Sequence, residues 1–520
     1  MSNETAKAEN GGLIGFIERA GKRIPDPIII FMFLFAFCLV LTGLIGGMTF
    51  ELANTSGGMT EYTIQNMLAT ENVRWIFDNA ILKNWLSFGG GVLGTIMIVM
   101  LGVGVAENSG MLTALIKKVG LRINEKLLPL LVVFLGIMSS VATDAGYLVL
   151  IPLAGMLYAG LGKNPLIGMA AAFAGVSAGF SANLIPATPI DVIIGENARI
   201  FAEAQGVPFT TADGKELTPA TMHYFFIFAS TFLLAGLGAW ITTKFVGPRL
   251  EKMSYTIPED MNLNDFAVSE SENKGIIASG LGLIVSLLVI AGLAMGPLAP
   301  YTVEANGTTR EVVPYLNNVI LLITLVFTIT GIFYGVAAGK FKSVQDVVTA
   351  MVKQMNTMGY VLVLTFFCYN FLGLMTYSGL GTYITYLGAT GLQALGLQQF
   401  PILLIVGFII TTAIINLFVG GLTSKWMLLG PIFVPMLYQV NPDMTPDLVA
   451  AAFRIADSST NIITPMMTYA GVILAFMRKY KPELSFGDVI AMMVPYSVMF
   501  LMSWTGLLIA FFVFGIPLGF

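Results

Sequence analysis

The sequence predicts an all-α polytopic membrane protein with nine transmembrane helices and two re-entrant hairpins per subunit, in which the second half repeats the first with inverted topology. The chain has 520 residues, of which 56% are hydrophobic and only 11% are charged, and its mean hydropathy is +0.82. A soluble globular protein carries about 25% charged residues. Many apolar runs reach about 20 residues, the length that a helix needs to cross a bilayer. The composition therefore excludes an ordinary soluble fold.

Two pairs of matching segments indicate the internal repeat. The segment 156–158, Met-Leu-Tyr, recurs at 436–438, and the segment 170–173, Ala-Ala-Ala-Phe, recurs at 450–453. Both matches have a separation of 280 residues, so they share one register. Inverted repeats with interrupted apolar segments are typical of secondary transporters, whose binding sites lie at the repeat interface. The repeat therefore favours a transporter.

The first half of the chain is expected to contain a cytoplasmic N-terminal segment, 1–26, and the first repeat, 27–246. The positive-inside rule places the N-terminus in the cytoplasm, because that segment carries four basic residues. Two apolar pieces within 127–161 flank the polar stretch 139–144, and each is too short to cross, so they predict a re-entrant hairpin from the cytoplasmic side. A polar external loop should join spans 1 and 2. The expected spans 1 to 4 are 27–47, 86–106, 165–195 and 221–246, the third interrupted by glycine and proline.

The second half is expected to begin with a cytoplasmic stretch, a connector span at 275–296 and an external loop, which together fill 247–315. The second repeat follows over 316–520. Its hairpin, 401–440, should enter from the outside, because basic residues flank the first hairpin but not the second. The C-terminus is expected to be external. The expected spans 6 to 9 are 316–339, 358–376, 446–477 and 487–516, the eighth of them broken.

Five charged residues lie within apolar segments, and all of them fall in hairpin tips or broken spans. Each costs about 2.5–3.5 kcal/mol on membrane-insertion scales, so such residues usually mark a substrate or ion path. The basic members are Lys425 and Arg454, and the acidic members, Asp144, Asp191 and Asp457, are the expected coupling carboxylates. In an alternative reading, Arg454 and Asp457 are an i,i+3 ion pair that only stabilises their own helix.

Broken membrane helices also expose backbone carbonyls, which join hydroxyl and amide oxygens in binding hard cations such as Na⁺. The coupling ion is therefore expected to be Na⁺ or H⁺, and no other cofactor is expected. The same side chains could instead form hydrogen bonds between helices. The candidate Na⁺ ligands are Ser140, Thr143, Asn183, Ser458 and Asn461.

Three side chains near the second hairpin and the eighth span suggest what the solute looks like. Arg454 offers a planar fork that suits a carboxylate, and Trp426 offers a flat face for an aromatic ring. Lys425 could meet a second anionic group. The expected substrate is an aromatic solute that bears a carboxylate.

One motif points to a different class of protein. The segment 175–179, Gly-Val-Ser-Ala-Gly, fits the G-x-S-x-G pattern of hydrolases, with Ser177 as the nucleophile. That chemistry needs a base, and the single histidine, His223, opens a different span. Small residues in a packed helix explain the motif better, so the chain is not expected to be an enzyme. The net charge of −4 argues against a nucleic-acid partner.

Over nearly its whole length the chain resembles the aminobenzoyl-glutamate transporter (AbgT) family. The resemblance implies a homodimer in the bacterial inner membrane, with the nine spans and two hairpins described above. Some members of that family import p-aminobenzoyl-glutamate, and others resemble exporters of sulfonamide antimetabolites. The segments that carry the resemblance are 179–184 with Asp191 after it, 426–436, 453–459 and 480–482. The residues it places along the substrate path are Asp191, Thr423, Trp426, Pro446, Arg454 and Asp457.

These observations lead to one expected function and two alternatives. The expected function is ion-coupled transport, by alternating access, of p-aminobenzoyl-glutamate or related aminobenzoate and folate-catabolite solutes. The nearer alternative is proton-driven export of sulfonamide antimetabolites, and the distant one is an intramembrane hydrolase. The direction of transport and the choice between Na⁺ and H⁺ stay open at this stage.

Overall fold

A computed structural model describes most of the chain and is built almost entirely from helices. The described residues are 25–53, 59–87, 92–120, 127–141, 146–257, 267–305, 308–312, 314–356, 358–419, 421–464, 467 and 469–520. The α-helices are α1 Pro27–Ile45, α2 Thr70–Asn79, α3 Val92–Asn108, α4 Met111–Gly120, α5 Leu128–Met138, α6 Ile151–Gly160, α7 Pro165–Phe173, α8 Pro189–Glu203, α9 Tyr224–Ile241, α10 Gly247–Leu250, α11 Glu270–Met295, α12 Pro314–Asn317, α13 Val319–Ala337, α14 Val344–Asn356, α15 Gly359–Tyr377, α16 Leu380–Ala394, α17 Pro401–Asn416, α18 Leu422–Val440, α19 Pro446–Asn461, α20 Ala470–Arg478 and α21 Phe486–Val513.

Six helices in the described part of the chain are long and apolar enough to cross a membrane. They correspond to the expected spans 1, 4, 5, 6, 7 and 9. The expected spans 2, 3 and 8 are formed by shorter helices, and two of these spans are broken in the middle. The six long helices are Pro27–Ile45, Tyr224–Leu250, Glu270–Met295, Val319–Ala337, Gly359–Tyr377 and Phe486–Val513.

The third expected span is two helices joined by an unwound segment. Helix α7 continues through a π-helical turn, Ala174–Ala178, and α8 begins only at Pro189. Proline lacks a backbone N–H and fits the first turn of a helix but not its interior, so Pro189 starts α8. Just before it, Ala187 has a left-handed φ of 55°, which interrupts any helical path. The local sequence therefore accounts for the break between α7 and α8.

The segment expected to form the first hairpin packs tightly against this broken span. Its first helix, α5, lies against the π-helical turn and against α9. A Cβ atom added to Gly175 would lie 2.3 Å from the carbonyl oxygen of Val133, so only glycine allows this approach of the two backbones. The G-x-S-x-G pattern is explained by this close packing.

The segment expected to form the second hairpin contacts helices from both halves of the chain. Its helices α17 and α18 both pack against α19, the first part of the expected span 8, and α18 also packs against α8 of the first half. Helix α19 is buried along almost its whole length. It ends at Asn461, and α20 begins at Ala470, so span 8 is also in two pieces.

The loop expected between spans 1 and 2 is more ordered than the sequence suggested. Strands β1, Thr49–Ala53, and β2, Met59–Thr63, form an antiparallel hairpin, and α2 then continues as a π-helix over Ala80–Ser87 that packs on α15. Strands β3, Tyr301–Ala305, and β4, Thr308–Val312, form another antiparallel β-hairpin, which lies in the expected external loop after span 5. These elements are not predicted by hydropathy, because their polar residues carry little hydropathy signal.

Candidate functional site

A buried ion pair joins the two halves of the molecule where span 3 is broken. The guanidinium Nη2 of Arg454, on α19, lies 2.6 Å from Oδ1 of Asp191, in the first turn of α8. The same nitrogen donates to the backbone carbonyl of Ser181, at 2.9 Å, inside the unwound segment. Arg454 is 2% exposed and Asp191 is 3% exposed, so the pair is withdrawn from solvent. The cation of the second half therefore satisfies both a carboxylate and an unwound carbonyl of the first half.

Asp191 is held in place by the start of its own helix. Its Oδ2 atom accepts hydrogen bonds from the backbone N–H and the hydroxyl of Thr188, at 2.8 and 2.6 Å, in a capping box. The other carboxylate oxygen is thereby aimed at Arg454. A carboxylate at a helix N-terminus also interacts favourably with the helix dipole. The capping residues thus prepare Asp191 to receive a cation.

His223, which the sequence analysis set aside, belongs to this site. Its Nε2 atom lies 2.8 Å from the carbonyl oxygen of Asp447, which can only accept, so Nε2 carries the proton. Its Nδ1 atom lies 3.2 Å from Nη1 of Arg454 and accepts from it. The imidazole is therefore neutral and fixes the second arm of the guanidinium. A lone histidine directly before a long apolar run was the signal in the sequence.

A second ion pair lies one turn further along α19. The ammonium of Lys425, in the first turn of α18, is 2.5 Å from Oδ1 of Asp457 and also donates to Oδ1 of Asn416 at the end of α17. The amide nitrogen of Asn416 donates to the carbonyl of Asp457 at 2.7 Å and to the hydroxyl of Thr460 at 2.6 Å. Lys425 and Asp457 are 1% and 0% exposed. Asn416 was not among the residues expected from the sequence.

The two pairs decide between the alternatives for Arg454 and Asp457. An ion pair within α19 is not what the structure contains, since Arg454 pairs with Asp191 and Asp457 pairs with Lys425. The interpretation of Arg454 and Asp457 as an i,i+3 ion pair within one helix is therefore wrong. Each charge of α19 instead ties this helix to another element. Breaking a buried pair by removing one partner costs about 3–5 kcal/mol, so both pairs hold these elements together.

Trp426 lies at the contact between the two halves. Its indole N–H donates to the backbone carbonyl of Ile194 in α8, at 3.1 Å, and the residue is fully buried. Its ring centroid lies 4.7 Å from that of Phe453 and 5.7 Å from that of Phe201. In this conformation the Trp426 side chain is packed in the contact between hairpin 2 (401–440) and span 3. Thr423 is half-buried at the start of α18, and Pro446 is buried at the first position of α19.

The candidate Na⁺ ligands fall into two groups. Asn183 donates through Nδ2 to the hydroxyl of Ser140, at 2.9 Å, and its Oδ1 accepts from the backbone N–H of Ile185. In the second half, Oδ1 of Asn461 lies 3.3 Å from the amide nitrogen of Asn416. The Ser458 hydroxyl is buried and finds no partner among the described residues. Thr143 and Asp144 lie outside the described residues.

The surroundings of Ser177 give no support to hydrolase chemistry. Its hydroxyl donates to the thioether sulfur of Met467 at 3.3 Å, and it is fully buried. A serine nucleophile needs a base within hydrogen-bond reach, and both ring nitrogens of His223 are already engaged elsewhere. In this structure Ser177 is a packing residue.

Comparison with known proteins agrees with this architecture. The model of the AbgT transporter family matches residues 12–520. The p-aminobenzoyl-glutamate transport protein of Escherichia coli K12 is 28% identical, and the match covers 100% of this chain and 98% of that protein. The crystal structure of the YdaH transporter of Alcanivorax borkumensis has a TM-score of 0.83 and 34% identity, covering 95% of this chain and 100% of its own.

A second solved structure is equally similar. The MtrF protein of Neisseria gonorrhoeae, described with a class of antimetabolite efflux pumps, has a TM-score of 0.83 and 32% identity, over 95% of this chain and 96% of its own. The family model matches residues 12–520, and each of the two structures covers 95% of the chain. This chain is a multi-pass membrane protein and belongs to the AbgT family of transporters.

Proposed function

We propose that the protein is an ion-coupled secondary transporter of p-aminobenzoyl-glutamate or related aminobenzoate and folate-catabolite solutes, working by alternating access. The observation that carries the proposal is the Arg454 guanidinium of the second half, which is buried at the break of span 3 and held by three groups of the first half. An intramembrane charge on a path between two repeats is typical of a transport site. The similarity to the p-aminobenzoyl-glutamate transport protein supports the choice of solute.

Arg454 would hold a carboxylate of the solute. The Asp191 carboxylate is paired with Nη2 of the Arg454 guanidinium, whereas His223 accepts a hydrogen bond from Nη1. An incoming carboxylate would therefore compete with Asp191 for the guanidinium. Such an exchange keeps the guanidinium paired at every stage. It would also release Asp191 to change its partner, which links solute binding to this coupling carboxylate.

Trp426 would contact the aromatic ring, and Lys425 a second anionic group, once hairpin 2 separates from span 3. The indole is sealed between Phe201 and Phe453 in the present conformation, so access to it requires this contact to open. Movement of a hairpin-bearing half around a fixed midplane site is how alternating access works in proteins of this kind. Thr423 and Pro446, at the starts of α18 and α19, are proposed to line the substrate path as well.

The coupling ion is proposed to be Na⁺ or H⁺, acting through the carboxylates Asp144, Asp191 and Asp457. The Na⁺ ligands would come from Ser140, Thr143, Asn183, Ser458 and Asn461. We further propose a homodimer in the bacterial inner membrane, with the N-terminus cytoplasmic and the C-terminus external.

Proton-driven export of sulfonamide antimetabolites is a second candidate function. The similarity to MtrF favours it, because that structure is described with antimetabolite efflux pumps. Sulfonamides keep the aminobenzene ring but lack the glutamate carboxylates. Loss of Arg454 would therefore weaken transport of p-aminobenzoyl-glutamate much more than transport of a sulfonamide.

The experiment is transport of labelled p-aminobenzoyl-glutamate in proteoliposomes, with inward Na⁺, inward H⁺ and outward H⁺ gradients imposed separately. Accumulation with an inward gradient supports symport, and accumulation only with an oppositely directed H⁺ gradient supports antiport and export. Absence of movement under every gradient, with a folded protein, would contradict the proposed substrate. Loss of activity in Ser177→Ala would instead favour a hydrolase.

A further inference from the structure

The ammonium of Lys425 lies where a transporter could bind a metal cation. It is buried among oxygen atoms: Oδ1 of Asp457 is 2.5 Å away, and Oδ1 of Asn416 accepts a hydrogen bond from it. Asn416 is fully buried, as are both charged partners. A carboxylate and an amide oxygen facing one buried point are the ligands that hard cations such as Na⁺ prefer.

The Asn416 amide oxygen is held in this arrangement without help from Lys425. The amide nitrogen of Asn416 donates to the Asp457 carbonyl and to the Thr460 hydroxyl, which itself donates to the carbonyl of Ala456 at 2.7 Å. These bonds fix the orientation of the amide, so its oxygen must face the ammonium. The cluster would therefore keep its shape around another cation of similar charge.

The two repeats differ at this point. At the separation of 280 residues that relates the matching segments, the position that corresponds to Lys425 is Ala145. The first repeat therefore has no lysine at the corresponding position. A cation that took this place in the first repeat would come from solution, whereas the second hairpin carries one covalently.

We propose that Lys425 is a tethered cation that fills a monovalent-cation site of the second repeat, formed by Asp457 and Asn416. The five candidate Na⁺ ligands of the proposed function are thereby narrowed, because exchangeable Na⁺ would be confined to the first repeat, near Ser140 and Asn183. Ser458 and Asn461 would then bind Na⁺ only when the Lys425 ammonium is removed. Shortening the side chain at 425 should open the site to Na⁺. Only the consequence for ion coupling rests on the proposed transport function, because cation binding at this site does not depend on the solute.

The test compares thermal unfolding of the full chain in 100 mM NaCl and in 100 mM choline chloride. Lys425→Ala empties the site, Lys425→Ser adds a hydroxyl ligand, and Lys425→Met removes the charge but fills the space. For Na⁺ bound with a Kd of about 1 mM, linkage gives a rise in Tm of about 2–3 °C for a chain of this size. In the Ala and Ser variants, Na⁺ should raise Tm by this amount more than it does in the wild type. In the Met variant, Na⁺ should raise Tm no more than in the wild type.

Adding Asp457→Asn to Lys425→Ala should abolish the extra rise. The proposal is overturned if Na⁺ stabilises the Ala and Ser variants no more than the wild type, or if neither variant folds in either salt. It is equally overturned if Asp457→Asn removes a Na⁺ effect already present in the wild type. Because none of these measurements uses a solute, a wrong substrate would leave their result unchanged.

Discussion

Replacing Asp191 with asparagine should destabilise the protein, because it leaves the buried Arg454 guanidinium without a charged partner. Arg454 is 2% exposed, and its Nη2 atom has the Asp191 carboxylate as its charged partner at 2.6 Å. Loss of one partner of a buried ion pair costs about 3–5 kcal/mol. With an unfolding entropy of about 1.1 kcal/mol/K for a chain of this length, Tm should fall by about 3–5 °C.

Two further variants separate the ion pair from the helix cap. Asparagine keeps an oxygen that can accept from Thr188, so Asp191→Asn should lose mainly the charge. Thr188→Ala loses mainly the cap, worth about 1 kcal/mol, and should lower Tm by about 1 °C. Combining Asp191→Asn with Arg454→Gln replaces the ion pair with two neutral amides, so much of the lost stability should return while transport stays absent.

Thermal unfolding of the purified chain in detergent, followed by fluorescence, measures all of these shifts. If Asp191→Asn lowers Tm no more than Thr188→Ala does, the carboxylate is not the charge partner of Arg454, and the assignment of this site fails. If the double variant is as unstable as the sum of its two single variants, the two residues act independently.

Three other residues give predictions of their own. His223→Ala should raise the KM for p-aminobenzoyl-glutamate by about tenfold, since a lost hydrogen bond to a charged group costs about 1.5 kcal/mol. His223→Asn keeps an acceptor near Arg454 and should recover part of this loss. Initial rates in proteoliposomes measure the KM values, and equal values in all three proteins would contradict the prediction. Trp426→Phe should lower Tm by about 1–2 °C through the loss of the indole hydrogen bond that seals the two halves; an unchanged Tm would show that this bond does not hold them together. Gly175→Ala should prevent assembly of hairpin 1 against span 3, because the new Cβ meets the Val133 carbonyl at 2.3 Å; size-exclusion chromatography checks this, and a wild-type profile would refute it.

The sequence located the long helices and the charged residues well. Long apolar runs and glycine or proline interruptions are local signals, and they placed the six long helices and the interruption of span 3 before Pro189. Span 8 was expected to be broken, but the sequence did not place its break after Asn461. The charges that cost most in a membrane, Arg454 and Lys425, proved to lie in the two buried clusters.

The partners of those charges could not be read from the sequence. Arg454 and Asp457 are three residues apart, and only the packing of α19 against α8 and α18 decides that each finds its partner on another helix. His223 and Asn416 were missed for the same reason, because both lie at helix ends where no hydropathy pattern indicates the direction of a side chain. The buried state of Trp426 likewise depends on contacts between segments more than 200 residues apart in the sequence.

Arg454 is proposed to hold the carboxylate of an aromatic solute during ion-driven transport. The most direct test measures uptake of labelled p-aminobenzoyl-glutamate into proteoliposomes that contain either the wild type or Arg454→Ala, under whichever ion gradient drives the wild type, with folding confirmed by size-exclusion chromatography. We expect accumulation by the wild type and none by the folded variant. Uptake by Arg454→Ala at the wild-type rate would contradict the claim.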